Sequence, residues 1–116
     1  MTVTRIIDFT PLERLLSLAG PSGAPELVAA LMDDLKATQA SLDLAWNGPD
    51  FAALRANSHV LMGLAGTVGD TDLHALAQRL NRGAHTQTPN DTVDITQSIM
   101  TYLADLIAQL HNKAGL

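Results

Sequence analysis

The sequence predicts an all-α protein, an antiparallel four-helix bundle preceded by a short N-terminal helix. Apolar residues make up 47% of the chain but aromatics only 3%, so the core has to be built from Leu, Ala, Val, Ile and Met. Leu and Ala are good helix formers and runs of β-branched residues are missing, which disfavours a sheet. Apolar residues recur at spacings of three and four between breaks marked by Gly and Pro. A length of 116 residues suits one core and not two, so residues 1–116 are read as a single domain.

The first start signal is Thr10-Pro11-Leu12-Glu13. Thr10 can cap, Pro11 suits the first helical position, and Glu13 can reach back in a capping box. Gly20-Pro21-Ser22-Gly23 keeps this helix short. A second helix runs from about Pro25 to Trp46, with Leu27, Leu31, Leu35, Thr38, Leu42 and Ala45 as its stripe. Asn47-Gly48-Pro49 breaks it, and Asp50 caps a third helix that reaches about Thr67 and closes at Gly69. Asp70 or Thr71 caps a fourth, carried by Leu73, Leu76, Ala77 and Leu80 and ending near Gly83. His85 to Asn90 reads as a polar loop. The last helix, from about Asp91 to Lys113, presents Ile99, Leu103, Leu106 and Leu110. Trp46 is expected to plug an end of the bundle.

Composition excludes several functions. A net charge of −5 argues against a nucleic-acid binder, which needs a basic stripe to neutralise phosphates. With no cysteine, disulfides and thiolate metal sites are ruled out. No apolar run is expected to approach the roughly 20 residues needed to span a bilayer, and no signal peptide is read at the start of the chain. The expectation is therefore a cytoplasmic monomer without membrane contact. No histidine pair has metal-binding spacing, so no metal site is expected. His74 and His85 read as surface residues, and His111 sits near a helix C-terminus, where a cation is mildly favoured. Asp33 and Asp34 are adjacent, point apart, and belong to a solvated face. A Gly-rich phosphate loop with Lys is absent, which argues against ATP-dependent kinase activity of the chain's own.

The third helix carries the most information. On a wheel of about 100° per residue, Phe51, Leu54, Ser58, Leu61, Ala65 and Val68 form the core stripe. His59 lies roughly 130° from the centre of that stripe. Its neighbours on the outer face are Ala52, Ala56, Gly63 and Gly66, each of them Ala or Gly. Solvent-facing helix surfaces normally carry Glu, Lys or Gln. Each glycine inside a helix costs about 0.5–1 kcal/mol relative to Ala, a noticeable loss against a total stability of roughly 5–15 kcal/mol. Either a partner protein approaches this backbone closely to reach His59, or Gly66 and Gly69 belong to a fraying end and Gly63 packs on a neighbour.

The stretch Ser58-His59-Val60-Leu61-Met62-Gly63-Leu64-Ala65-Gly66-Thr67-Val68-Gly69 resembles the signature of histidine-containing phosphotransfer (HPt) domains. In that signature the phosphorylated His is followed by glycines at the positions of Gly63 and Gly69, and often by a small residue at that of Gly66. The run Leu73-His74-Ala75-Leu76-Ala77-Gln78-Arg79-Leu80 is similar to the family's Leu-rich fourth helix. Pro25-Glu26-Leu27 and Gly48-Pro49-Asp50-Phe51 also sit where the family has them, so the resemblance covers roughly residues 22–110. It implies that His59 is the phosphoacceptor, exchanging a phosphoryl group with aspartates of response-regulator receiver domains. A hybrid sensor kinase is a further implied partner. The chain itself would need no cofactor, Mg²⁺ being carried by the receiver. The resemblance also implies that Asn81 holds one imidazole nitrogen and presents the other as nucleophile.

One departure stands out. Where the family usually has a Lys three residues after the His, this chain has Met62. Arg55, one turn before His59 and about 40° away on the wheel, could supply the missing charge, with Arg79 and Arg82 as further candidates. The chemistry suits the residues. A neutral imidazole is a good nucleophile near neutral pH, and phosphoryl transfer is mostly positioning and charge stabilisation. Two alternatives remain: a degenerate HPt-like module that docks receivers or kinases without transfer, and a helical adaptor of unrelated origin.

Overall fold

The computed structural model describes residues 5–46 and 49–113. Helix α1 spans Thr10–Ala45, α2 Phe51–Val68, α3 Thr71–Thr86 and α4 Pro89–Lys113. Among the described residues there is no strand. Each helix packs on its neighbour in chain order and α1 closes on α4, giving the antiparallel bundle.

The two helices expected at the N-terminus are joined. The helical run continues from Thr10 to Ala45 with one break, at Gly20, whose φ of 78° and ψ of 177° no helix contains. Glycine tolerates that conformation, and Pro21 restarts the helix directly after it, four residues before the expected start. The short arm and the bundle helix are therefore distinct in direction but not separated by a loop. Asn47 and Gly48, the expected break, lie outside the described residues. Trp46 is half-buried at the end of α1.

The capping box at Thr10 does not form. Phe9 takes the N-cap position without a side-chain cap, and Asp8 Oδ1 accepts from the Thr10 hydroxyl at 2.5 Å and its N–H at 3.0 Å. These bonds hold the Asp8 carboxyl below the usual carboxylate range. Glu13 is drawn instead to Lys113, at 2.9 Å. The later caps form as the sequence indicates: Asp50 accepts from Ala53 N–H and Asp70 from Leu73 N–H, both at 3.1 Å.

The polar stretch from His85 to Asn90, expected as a loop, is helical except at its centre. Only Gln87 and Thr88 separate α3 from α4. Gln87 adopts the left-handed conformation with φ of 54°. The Gly83 carbonyl accepts from the Thr88 N–H at 3.2 Å and from the hydroxyls of Thr86 and Thr88. Threonine hydroxyls thus satisfy the helix end, and Pro89 can open the next helix at once.

The core is the expected one. Leu31, Leu35, Leu42, Leu54, Leu61, Leu73, Leu80, Ile99, Leu103, Leu106 and Leu110 are all buried, with Phe51, Leu27 and Leu76 half-buried against them. Apolar residues also remain outside it. An 18-residue window in α1 reaches a mean hydropathy of 1.3, long and apolar enough by length and composition to cross a membrane. That corrects the expectation of no such run: Leu, Ala and Val outweigh the prolines and the few charges there. Gly20 nevertheless interrupts its helical geometry. Ile6 and Leu18 in the N-terminal segment stay exposed.

Arg5 fastens that segment to the bundle. Its guanidinium pairs with both Asp70 oxygens at 2.7 and 2.9 Å and with Asp105 at 3.1 Å. It also donates to the Tyr102 carbonyl at 2.8 Å and lies 4.3 Å from the Tyr102 ring centroid. Burial works to lower its pKa, but the hydrogen bonds and charges of Asp70 and Asp105 outweigh this and raise it. Side-chain exposure is 8% for Arg5, 1% for Asp70 and 5% for Asp105. Removing the cation leaves two buried carboxylates without their partner, a change that typically costs about 3–5 kcal/mol. Arg5→Met should lower stability in urea unfolding by about 3 kcal/mol. Glu13→Gln, which breaks the more exposed pair with Lys113, should cost less than about 1 kcal/mol. Equal effects would show that the Arg5 cluster does not anchor the fold.

Candidate functional site

Helix α2 runs between two well-defined ends, Asp50 at its start and Gly69 at its end, where φ is 96°. Within it Leu54, Ser58, Leu61, Ala65 and Val68 are buried. Ser58 is fully buried, and its hydroxyl donates to the Arg55 carbonyl at 2.9 Å while accepting from Asn81 Nδ2 at 3.1 Å. Asn81 Nδ2 also approaches the Arg55 carbonyl, at 3.3 Å. Asn81 therefore joins α3 to α2 and does not hold the imidazole of His59. The adjacent buried hydroxyl takes its amide, which a wheel drawn on one helix could not reveal. Among the described residues no group hydrogen-bonds the His59 ring.

With that stripe turned inward, His59 is exposed, as are Ala52, Ala56, Gly63 and Gly66, while Val60 is 49% exposed beside it. Arg55 and Met62 are half-buried, and Met62 packs partly against the core. Arg79 and Arg82 line a cleft of about 430 Å³ with Thr86, Thr88, Asp91 and Asp94 at the α3–α4 side. The structure thus brings Arg55, Met62 and the small residues around His59 on one helix, and places Arg79 and Arg82 beside carboxylates of α4. No group of three or more His, Asp or Glu able to hold a metal occurs among the described residues.

The three glycines of the motif do different work. A Cβ added at Gly63 would meet nothing within 4 Å, and one at Gly66 only His74 Cδ2, at 3.8 Å. Neither is needed for packing, which removes the internal explanation for both. A Cβ at Gly69 would collide with the Asp8 carbonyl and Pro11, on top of the left-handed backbone. Gly69 is structural, the seat on which the N-terminal segment rests.

A family model described as Hpt domain matches residues 26–113. The chain belongs to the Hpt domain family. That span takes in the greater part of α1 and all of α2, α3 and α4. No curated protein and no solved structure matches the chain. Hpt domains serve histidine phosphotransfer in phosphorelays, where they interact with receiver domains and kinases.

Sequence reasoning missed His74. It is half-buried on α3, with its ring edge 3.8 Å from where a Cβ at Gly66 would lie. Its place follows from the antiparallel pairing of α2 with α3, which no single helix reveals. In this Hpt domain, Gly63→Ala and Gly66→Ala should each raise stability by about 0.5–1 kcal/mol, the helix-propensity gain with no steric loss. Gly69→Ala should lower it by at least about 1–2 kcal/mol, the strain of a left-handed L-residue. Urea unfolding of the three variants separates the cases; a destabilised Gly63→Ala would mean that this glycine is structural after all.

Proposed function

We propose that this Hpt domain is a phosphorelay carrier that accepts and donates a phosphoryl group at His59, its partners being receiver-domain aspartates. One observation supports this reading above the rest: His59 is exposed on a helix face with Ala52, Ala56, Gly63 and Gly66 around it, and a side chain at Gly63 would meet only open space. Stability would be better served by Ala or a charged residue there, so the bare face is explained by close approach of a partner. In the transfer, the unprotonated ring nitrogen attacks phosphorus of the aspartyl phosphate. An N–P bond forms, the P–O bond to the aspartate breaks, and the carboxylate leaves with the electron pair. The other ring nitrogen then releases its proton to water. Mg²⁺ on the receiver would stabilise the charge of the moving group. The chain supplies the nucleophile and the docking face, without kinase activity of its own.

A second reading rests on Met62. Its half-buried thioether adds no charge beside the phosphoryl group, as expected for a domain that docks receivers without accepting phosphate. Incubation with a panel of phosphorylated receiver domains discriminates the two. Wild type should become labelled, and His59→Gln should not. A Lys at position 62 can lay its stem along the apolar surface and extend its ammonium outward, a gain of about 1 kcal/mol by comparison with exposed ion pairs. Met62→Lys should therefore raise labelling severalfold. Labelling of Met62→Lys but not of wild type would favour the docking module, and equal labelling would assign the charge to Arg55.

Docking is tested separately. A transient interface of this kind buries about 1,200 Å² or less, so one obstruction weighs heavily. Gly63→Glu should fold as wild type does and lose receiver binding by calorimetry. Unchanged binding would move the docking face elsewhere.

A further inference from the structure

The α2–α3 seam is antiparallel, and two contacts fix its register: Gly66 against His74, and Ser58 against Asn81. On α3 the residues His74, Gln78, Asn81 and His85 follow one another at helical spacing, so they share the side that adjoins α2. Gln78 and His85 are exposed, and His74 and Asn81 half-buried. The bare face around His59 therefore continues onto α3 without an intervening ridge at Gly66.

Charge is distributed unevenly around this surface. The chain carries a net charge of −5, yet α2 has no Asp or Glu. The one carboxylate within α3, Asp72, lines a cleft with Leu76, Arg79 and Tyr102 on the α4 side. Asp70, one turn before His74, is buried and held by Arg5. Asp50 lies at the far end of α2, capping it. The seam thus presents Arg55 and the imidazoles of His59, His74 and His85 with no Asp or Glu between them, although Asp8, Asp70 and Asp72 gather beyond its Gly69 end, on an otherwise acidic molecule. A strip of Arg55 and imidazoles free of carboxylates admits a partner with an acidic rim, which the acidic remainder of the molecule repels.

We infer that the docking surface extends across the seam onto α3, and that His74 is a partner-specificity contact facing an acidic rim of the receiver domain. This rests on the proposed function of His59. It adds a second point of contact, about two helical turns along α2 from the reacting nitrogen.

The test is a charge series read by transfer from a phosphorylated receiver to His59, with labelling by phosphoramidate as a measure of His59 reactivity without a docking protein. His74→Glu should slow receiver transfer about tenfold, as a like charge placed at an interface rim does, and His74→Lys should not slow it. Gln78→Glu, exposed on the same strip, should act like His74→Glu and covers the case in which a charge at half-buried position 74 disturbs folding. Ala75→Glu adds the same charge on the α4 side and should transfer as wild type does. Phosphoramidate labelling should be equal in all of them. Receiver transfer unchanged in both His74→Glu and Gln78→Glu overturns the specificity contact and leaves the carrier reading intact. If phosphoramidate labels wild type but no receiver does, the partner reading fails and the inference falls with it.

Discussion

Everything at the candidate site follows from the obligation of α2 to bury one stripe. Leu54, Leu61, Ala65 and Val68 are fully buried, and burial of each large side chain is worth about 1.5–3 kcal/mol. The helix cannot rotate without losing most of that. Ser58 adds a polar constraint: its enclosed hydroxyl donates to the Arg55 carbonyl and accepts from Asn81, and that second bond ties α2 to α3 at one register. A slip along the seam would break the Asn81–Ser58 hydrogen bond, a loss of about 0.5–1.5 kcal/mol. His59, next to Ser58 in the chain, is turned outward by the same rotation that turns its neighbour in. The core thus aims the imidazole without any bond to it.

The glycines show how stability and docking divide along a short motif. Gly69 is demanded by the backbone, since its left-handed φ and the crossing of the N-terminal segment leave no room for a Cβ. Gly63 and Gly66 are demanded by nothing inside the molecule. Their helix cost is small beside the core and the Arg5 cluster, which together tolerate it. A fold with a well-fastened N-terminal segment can keep a bare, slightly unfavourable face on its second helix.

The local features of this fold were legible in the sequence. Caps at Asp50 and Asp70, the closing Gly69, the stripes of every helix and the outward position of His59 all depend on residues within a few positions of one another. Where the sequence misled, longer-range partners had decided. Thr10 looked like a cap until Asp8 took its hydroxyl and Lys113 drew Glu13 away. The stretch from His85 to Asn90 looked like a loop because its residues are polar, whereas Thr86 and Thr88 spend their hydroxyls closing the helix at Gly83. Asn81 was assigned to the imidazole because the family pattern places a polar residue there, while the buried acceptor on α2 belonged to Ser58. Arg5 could not be matched with Asp70 and Asp105 without the bundle, and His74 needed the pairing of two helices to reach its place.

The central claim is that the phosphoryl group travels through His59 alone. Proton–phosphorus correlation NMR on the isotope-labelled protein, after incubation with a phosphorylated receiver domain, identifies the modified imidazole directly. The account predicts one phosphohistidine signal that assigns to His59. Phosphate on His74, His85 or His111, or a folded protein that stays unlabelled with every receiver tried, would contradict it.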